Sequence, residues 1–253
     1  MTPKEAVEIS RRVAEEVKNS LSRVSNREFS SEVGIGKDGT PTKKIDKVAE
    51  DAAIDILKEH DVTVVSEEAG VVGEGDVYIA LDPIDGTFNA GRGIPLYSVS
   101  LCFSASPRIA DTFMGYVFNL VTGVEYRADT RAYRDDQSIS VSTTSSIEEC
   151  NAIFYYPDRR YDFRKIRIMG SAALEVCMVA DGTFDCFIDS RGDKGFLRVY
   201  DIGAGLHIAS CAGAIVTDTE GNSLDEKRIK MDERFKLVVS NKQLHPQLLE
   251  LVA

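Results

Sequence analysis

Apolar positions along the chain change period several times, and those changes mark out the elements. "TPKEAVEISRRVAEEVKNSL" opens with Thr2 as N-cap, Pro3 in the first turn and Glu5 in place to complete a capping box. Val13, Val17 and Leu21 then recur at helical spacing, which predicts an amphipathic helix. A second helix is predicted from about Lys43 to Glu59, with Ile45, Val48, Ala49, Ala52, Ile56 and Leu57 as its apolar face. The polar, glycine-rich "SNREFSSEVGIGKDGTPT" between them reads as a mobile loop or a hairpin.

Strand patterns follow. "VTVVSEE", "VYIALDP" and "YSVSLCFS" are short apolar or alternating runs, and "FMGYVFNLVTGVEYRA" reads as two strands joined at Val121, Thr122 and Gly123. "AYRDDQSISVS" adds another. Residues 1–135 therefore read as an antiparallel-leaning α+β half.

Residues 136–253 alternate differently, as an α/β half. "NAIFYY", "FDCFID", "AIVTD" and "KLVVS" are strands. "SAALEVCMVADG", with Ser171 as N-cap and Gly182 as stop, "YDIGAGLHIASCAG" and "HPQLLELV" are helices. No repeat or low-complexity linker separates the halves, so they are expected to share an interface.

Composition narrows the function. The chain has 253 residues, 43% hydrophobic and 28% charged, enough to bury a large core. Its formal net charge of −11 leaves no basic stripe for a nucleic-acid backbone. Anionic substrates stay possible if cations stand between. No apolar run reaches the roughly 20 residues of a membrane span, and the opening segment has no signal-like apolar core, so a cytoplasmic address is expected. Five cysteines and three histidines show no zinc spacing. Cys102, Cys177 and Cys211 read as core. Cys150 and Cys186, at segment edges, are the pair to test for a disulfide or redox role.

"GIGKDG" at 34–39 matches a dinucleotide glycine pattern in letters alone. That pattern needs a buried strand before it and a helix within it, and neither is present. A flexible loop is the better reading, with Lys37 able to reach an anion.

"LDPIDGT" carries more chemistry. Asp82 ends an apolar strand, Pro83 stiffens the turn, and Asp85 follows three residues on. Gly86 and Thr87 offer amides and a hydroxyl at a helix start, a cradle for phosphate. Two acids beside an anion cradle conflict unless divalent cations join them. The plainer reading has Asp85 capping a helix. Glu67 and Glu68 in "SEEAG" and Asp201 in "VYDIGAG" also follow apolar elements, although a solvated turn and an N-cap would explain them singly.

Taken together, "DPIDGT" at 82–87, "SEE" at 66–68 and "YDIGAG" at 200–205 resemble the signatures of the inositol monophosphatase family. The family belongs with the fructose-1,6-bisphosphatases among Mg2+-dependent, lithium-sensitive phosphatases. The resemblance runs from "TKKID" to "AGAIVTDTEG", and the length and "FIDSRG" look most like archaeal enzymes active on both substrates. It implies a layered α-β-α-β-α sandwich and a homodimer.

It also implies roles. Glu67, Asp82 and the Ile84 carbonyl would hold one Mg2+, and Asp82, Asp85 and Asp201 a second. Glu67 would help hold a third through water, and Mn2+ is a possible substitute. Thr87 paired with Asp46 would orient and deprotonate the attacking water. The Gly86 and Thr87 amides would hold the phosphate, with Asp85 and Ser171 among the substrate contacts. Animal relatives place a glutamate on the inositol hydroxyls where this chain reads "FIDSRG", so Asp189 and Arg191 become the candidates and a broader sugar phosphate is favoured. Tyr155, Arg164, Lys165 and Arg167 could serve the second phosphate of a bisphosphate, or form a solvated face. Tyr200 replaces the usual Trp. The implied reaction is hydrolysis of inositol 1-phosphate and fructose 1,6-bisphosphate. The alternatives are a phosphatase for 3′-phosphoadenosine phosphates or NADP, and a non-catalytic metal- or anion-binding module, which would not need Thr87 and Asp46.

Overall fold

The computed structural model describes residues 1–25, 28–37, 39, 41–193 and 195–252. Helix α1 (Pro3–Ser22) starts at the anticipated capping box, Thr2 and Glu5 each accepting or donating across the first turn. Strands β1 (Glu32–Ile35) and β2 (Pro41–Lys43) form an antiparallel hairpin, so the glycine-rich segment is no nucleotide loop. Asn26, Arg27, Asp38 and Thr40 of that segment lie outside the described residues. Helix α2 (Lys44–Leu57) follows.

Eight strands then build one sheet: β3 (Val62–Ser66), β4 (Gly70–Val72), β5 (Val77–Asp85), β6 (Ser98–Ser104), β7 (Thr112–Asn119), β8 (Glu125–Ala128), β9 (Ala132–Arg134) and β10 (Gln137–Ser138). Their order is β10-β9-β8-β7-β6-β5-β3-β4, antiparallel except for β3 beside β5. The short helix α3 (Thr87–Arg92) leaves the end of β5.

The second sheet has order β12-β11-β13-β15-β14, from β11 (Asn151–Tyr155), β12 (Lys165–Arg167), β13 (Cys186–Asp189), β14 (Ile215–Thr217) and β15 (Leu237–Ser240). Strand β11 runs parallel to β12 and β13, and β15 antiparallel to its neighbours. Helices α4 (Ala172–Ala180), α5 (Val199–Cys211) and α6 (His245–Val252) complete the chain. None of the described helices is long and apolar enough to cross a membrane.

Strand periodicity explains the layering. Ile79, Leu81, Leu101, Phe103 and Tyr116 point to one face of the large sheet, where they pack with Ile9, Val13 and Val17 of α1 and Ile45 and Ala49 of α2. Ala80, Cys102 and Val117 point to the other, against Val176 of α4 and Ile202 and Ala204 of α5. Ile153, Phe187 and Val239 of the small sheet close on the same helices from the far side. Ala152, Phe154 and Val238 face Leu248 of α6. The result is the expected α-β-α-β-α sandwich. Gly205 lets α5 approach α4 closely, since a Cβ there would stand 3.0 Å from Val176 Cβ.

Candidate active site

The strand does not end at Asp82. Strand β5 continues through Pro83 to Asp85, with a bulge: Asp82 pairs with Ser100 and Asp85 with Ser98, three steps against two. Pro83 sits in that irregularity, where its missing N–H costs no ladder bond. Asp82 shares strand parity with Ala80 and so lies on the face covered by α4 and α5. Its Oδ1 accepts the Ile84 N–H at 3.0 Å.

Asp85 turns to α4. Its carboxylate accepts the Ser171 hydroxyl at 2.5 Å and the Ala172 and Ala173 amides at 3.0 and 2.9 Å, with Ser98 Oγ at 3.3 Å. The capping reading is therefore right in kind and wrong in target. Asp85 caps α4, across the fold, while Gly86 is the N-cap residue of α3. Ser171 occupies the N-cap position of α4, but its hydroxyl donates to Asp85 and makes no cap bond of its own.

Asp201 also departs from expectation, three residues inside the cap. Arg198 holds the N-cap position of α5, and Asp201 sits in the first turn, accepting the Arg198 N–H at 2.6 Å. Asp46 does the same in α2, accepting the Lys43 N–H at 3.2 Å. Its other oxygen receives the Thr87 hydroxyl at 2.8 Å, with the Ile84 carbonyl 3.2 Å from the same hydroxyl. Asp46 and Thr87, forty-one residues apart, thus meet. Gly86 has φ 98°, and a Cβ there would stand 3.1 Å from the Gly170 and Leu96 carbonyl oxygens, so only glycine fits.

The electrostatics are strained. Burial, then the charges of Asp85, Glu67 and Asp201, push the Asp82 carboxyl well above its usual range. Burial pushes Asp85 up to about 6, against the hydrogen bonds from Ser171, Ala173, Ala172 and Ser98. Asp201 keeps part of its surface open, yet its carboxyl is enclosed, and burial pushes it up to about 7 with Asp85 adding repulsion. Burial also raises Asp46, offset by Thr87 and Lys43. Glu67 lies in the turn after β3. Among the described residues, no three His, Cys, Asp or Glu side chains form a ready-made metal cage. The acids gather in one place while three of them, Asp46, Asp85 and Asp201, spend oxygens on helix N-termini.

The distal candidates fare unevenly. Asp189 is fully buried and grips Arg191 through two bonds, at 2.9 and 2.6 Å. The Arg191 guanidinium lies over Tyr155, Tyr156 and Phe196, 4.7, 5.2 and 5.0 Å from their ring centres. Tyr155 is buried and its hydroxyl donates to Glu175, so it faces inward, although the pairing of β11 with β12 puts Lys165 and Arg167 on the same side of the sheet. Arg164, Lys165 and Arg167 are exposed, with Lys165 and Arg167 on one face of β12. All five cysteines are free thiols. Cys150 and Cys186 are buried with their sulfurs 3.5 Å apart, and Cys211 is half-exposed rather than core.

Sequence reasoning missed three polar side chains that organise the site. Asn89 donates to the Leu96 and Met169 carbonyls at 2.8 and 2.7 Å, tying α3 to the loop before α4. Glu175 and Glu50 are buried in helices. Their signal was present: a carboxylate at an apolar position of a helix face.

Comparison with known proteins shows the family and the fold. A Pyrococcus horikoshii structure, described as having similarities to inositol-1 monophosphatase, superposes with a TM-score of 0.81 at 28% identity, covering 98% of this chain and 95% of that one. The Archaeoglobus fulgidus fructose-1,6-bisphosphatase/inositol-1-monophosphatase is 55% identical over the full length of both chains. The bifunctional NADP phosphatase/NAD kinase of Methanococcus maripaludis is 33% identical, over 96% of this chain and 48% of that protein. The profile of the inositol monophosphatase family matches residues 3–253, and the chain belongs to that family of phosphatases.

Proposed function

We propose that the chain is a Mg2+-dependent phosphomonoesterase acting on inositol 1-phosphate and fructose 1,6-bisphosphate. One observation carries the reading: Asp82, Asp85 and Asp201 converge in a buried site where each raises the cost of ionising another. The name and full-length identity of the Archaeoglobus relative support the substrate pair.

The donor set fits a hard divalent cation, since carboxylate and carbonyl oxygens are what Mg2+ prefers and a cation would relieve the repulsion. Glu67, Asp82 and the Ile84 carbonyl would hold one ion, and Asp82, Asp85 and Asp201 a second. Glu67 would assist a third through water, and Mn2+ suits the same oxygens. When bound, such ions neutralise phosphate charge and acidify water. The chain supplies the rest. Asp46 accepts the Thr87 proton, which leaves Thr87 Oγ1 free to accept from the attacking water and aim it in line. The amides of Gly86 and Thr87 receive the phosphate, at a turn whose positive φ Gly86 adopts without strain. Arg191, held by Asp189, presents a fixed cationic plane for the sugar portion.

A second reading, a phosphatase for NADP or 3′-phosphoadenosine phosphates, is favoured by the Methanococcus relative. Phosphate release from all four esters, with Mg2+ and with a chelator, separates them. Release from the two sugar esters, abolished by chelator and by Asp85→Asn, is the expected result. Release from the nucleotides alone would select the second reading, and release unaffected by both treatments would reject metal-dependent hydrolysis.

A further inference from the structure

Helix α2 carries a second buried acid one turn beyond Asp46. Glu50 is 2% exposed, and its neighbours on the helix, Ala49, Ala53 and Ile54, are core residues. Its Oε1 accepts the Ser66 hydroxyl. The backbone amides of Ala69 and Glu68 face the same carboxylate and partly offset the burial that disfavours its charge. All three donors belong to one short segment. Ser66 and Gly70 pair at the base of a hairpin whose loop is residues 67–69, so Glu67 is at its first position.

The spacing is the key. Residues four apart lie on one helix face, so Asp46 and Glu50 project from α2 in the same direction, one turn apart. Asp46 holds Thr87 at the end of β5, and Glu50 holds the loop that carries Glu67 at the end of β3. Among the described residues Glu50 makes no ion pair, although the Lys47 charge helps to offset its burial, and an apolar side chain would fill the same core volume at less cost. What an apolar side chain cannot do is gather three donors of a loop.

We infer that Glu50 is a positioning residue: it fixes the loop bearing Glu67, and α2 thereby sets the spacing between that loop and Thr87. This rests on the metal-dependent reading above. Glu50 touches neither substrate nor the proposed cations, so its removal should loosen metal binding without disabling the reacting groups.

Glu50→Met and Glu50→Gln test this, using thermal stabilisation by Mg2+ without substrate and the Mg2+ dependence of phosphate release. For Glu50→Met, the metal-free melting temperature is expected unchanged or higher. Half-saturating Mg2+ should rise about tenfold or more in both assays, the size typical of losing a group that orients a ligand. Turnover at saturating Mg2+ should stay within about threefold. Glu50→Gln keeps one acceptor and should fall between, and it decides the matter by the same criteria if the Met variant does not fold. Half-saturation within about twofold of wild type in these variants overturns the inference, as does a lower metal-free melting temperature with unchanged Mg2+ dependence. A wild-type protein without Mg2+-dependent release or stabilisation would overturn the underlying reading instead.

Discussion

Glu175→Gln should change how stability depends on pH, by an amount the structure sets. The carboxylate is fully buried in α4 and receives the Tyr155 hydroxyl and, at 2.5 Å, the Met169 amide. Burial pushes it up to about 7 from 4.5; Tyr155 and Met169 oppose the rise and Asp85 adds to it. An acid whose folded value is raised binds its proton more tightly in the native state. Its contribution is present below about 4.5 and is lost as pH rises through about 7. With about 1.4 kcal/mol for each tenfold gain in proton affinity, protonated Glu175 favours the fold by about 2 to 3 kcal/mol at pH 5 and by almost nothing at pH 8. For a chain of this size that is a melting-temperature change of about 5 to 10 °C. Wild type and Glu175→Gln would be melted at pH 5 and pH 8 in a chelator, followed by circular dichroism. The gap between the two pH values should be larger in wild type by that amount. Profiles that run parallel within about 2 °C would show that burial does not govern this carboxyl, and the reasoning would be refuted.

Other outcomes follow from the same geometry. Thr87→Ala and Asp46→Asn should each lower kcat by about 100- to 10,000-fold with little change in KM, measured as phosphate release at saturating Mg2+. Gly86→Ala forces a side chain into φ 98° against two carbonyl oxygens, so thermal melts should show a loss of about 1 to 3 kcal/mol. Arg191→Ala strands the buried Asp189 charge and should cost about 3 to 5 kcal/mol in urea unfolding, most of it recovered in the double variant Arg191→Ala/Asp189→Asn.

Local signals were the legible ones. The Thr2 capping box, the two helical faces near the N-terminus and the run "DPIDGT" each depend on residues within a few positions of one another, and each can be read directly. What cannot be read depends on distant partners. Asp85 caps a helix whose first residue is eighty-seven positions away, and no local pattern announces that. Ser171 and Asp201 read as helix starts, but the side chain that answers each amide is decided by tertiary packing. Tyr155 resembles part of a basic, phosphate-ready segment because Arg164, Lys165 and Arg167 follow it. Burial and the bond to Glu175 commit its hydroxyl to the core instead, although Lys165 and Arg167 stand on the same side of the sheet. Helix α5 is legible as a helix but not as a buried layer: apolar residues surround it, a pattern that periodicity reads poorly because no single face stands out.

Helices α4 and α5 lie between the two sheets, and both sheets need them. A chain cut near residue 138 would leave Ala80, Cys102 and Val117 of the large sheet facing water, and would strip the small sheet's partners of half their packing. Neither piece is a portable module. The molecule should therefore unfold in one cooperative transition, and a nick in this region should be tolerated only while the fragments stay associated. Separately expressed halves should aggregate alone and regain activity on co-expression, because the C-terminal piece carries the helices that cover the large sheet, and the large sheet covers those helices in return.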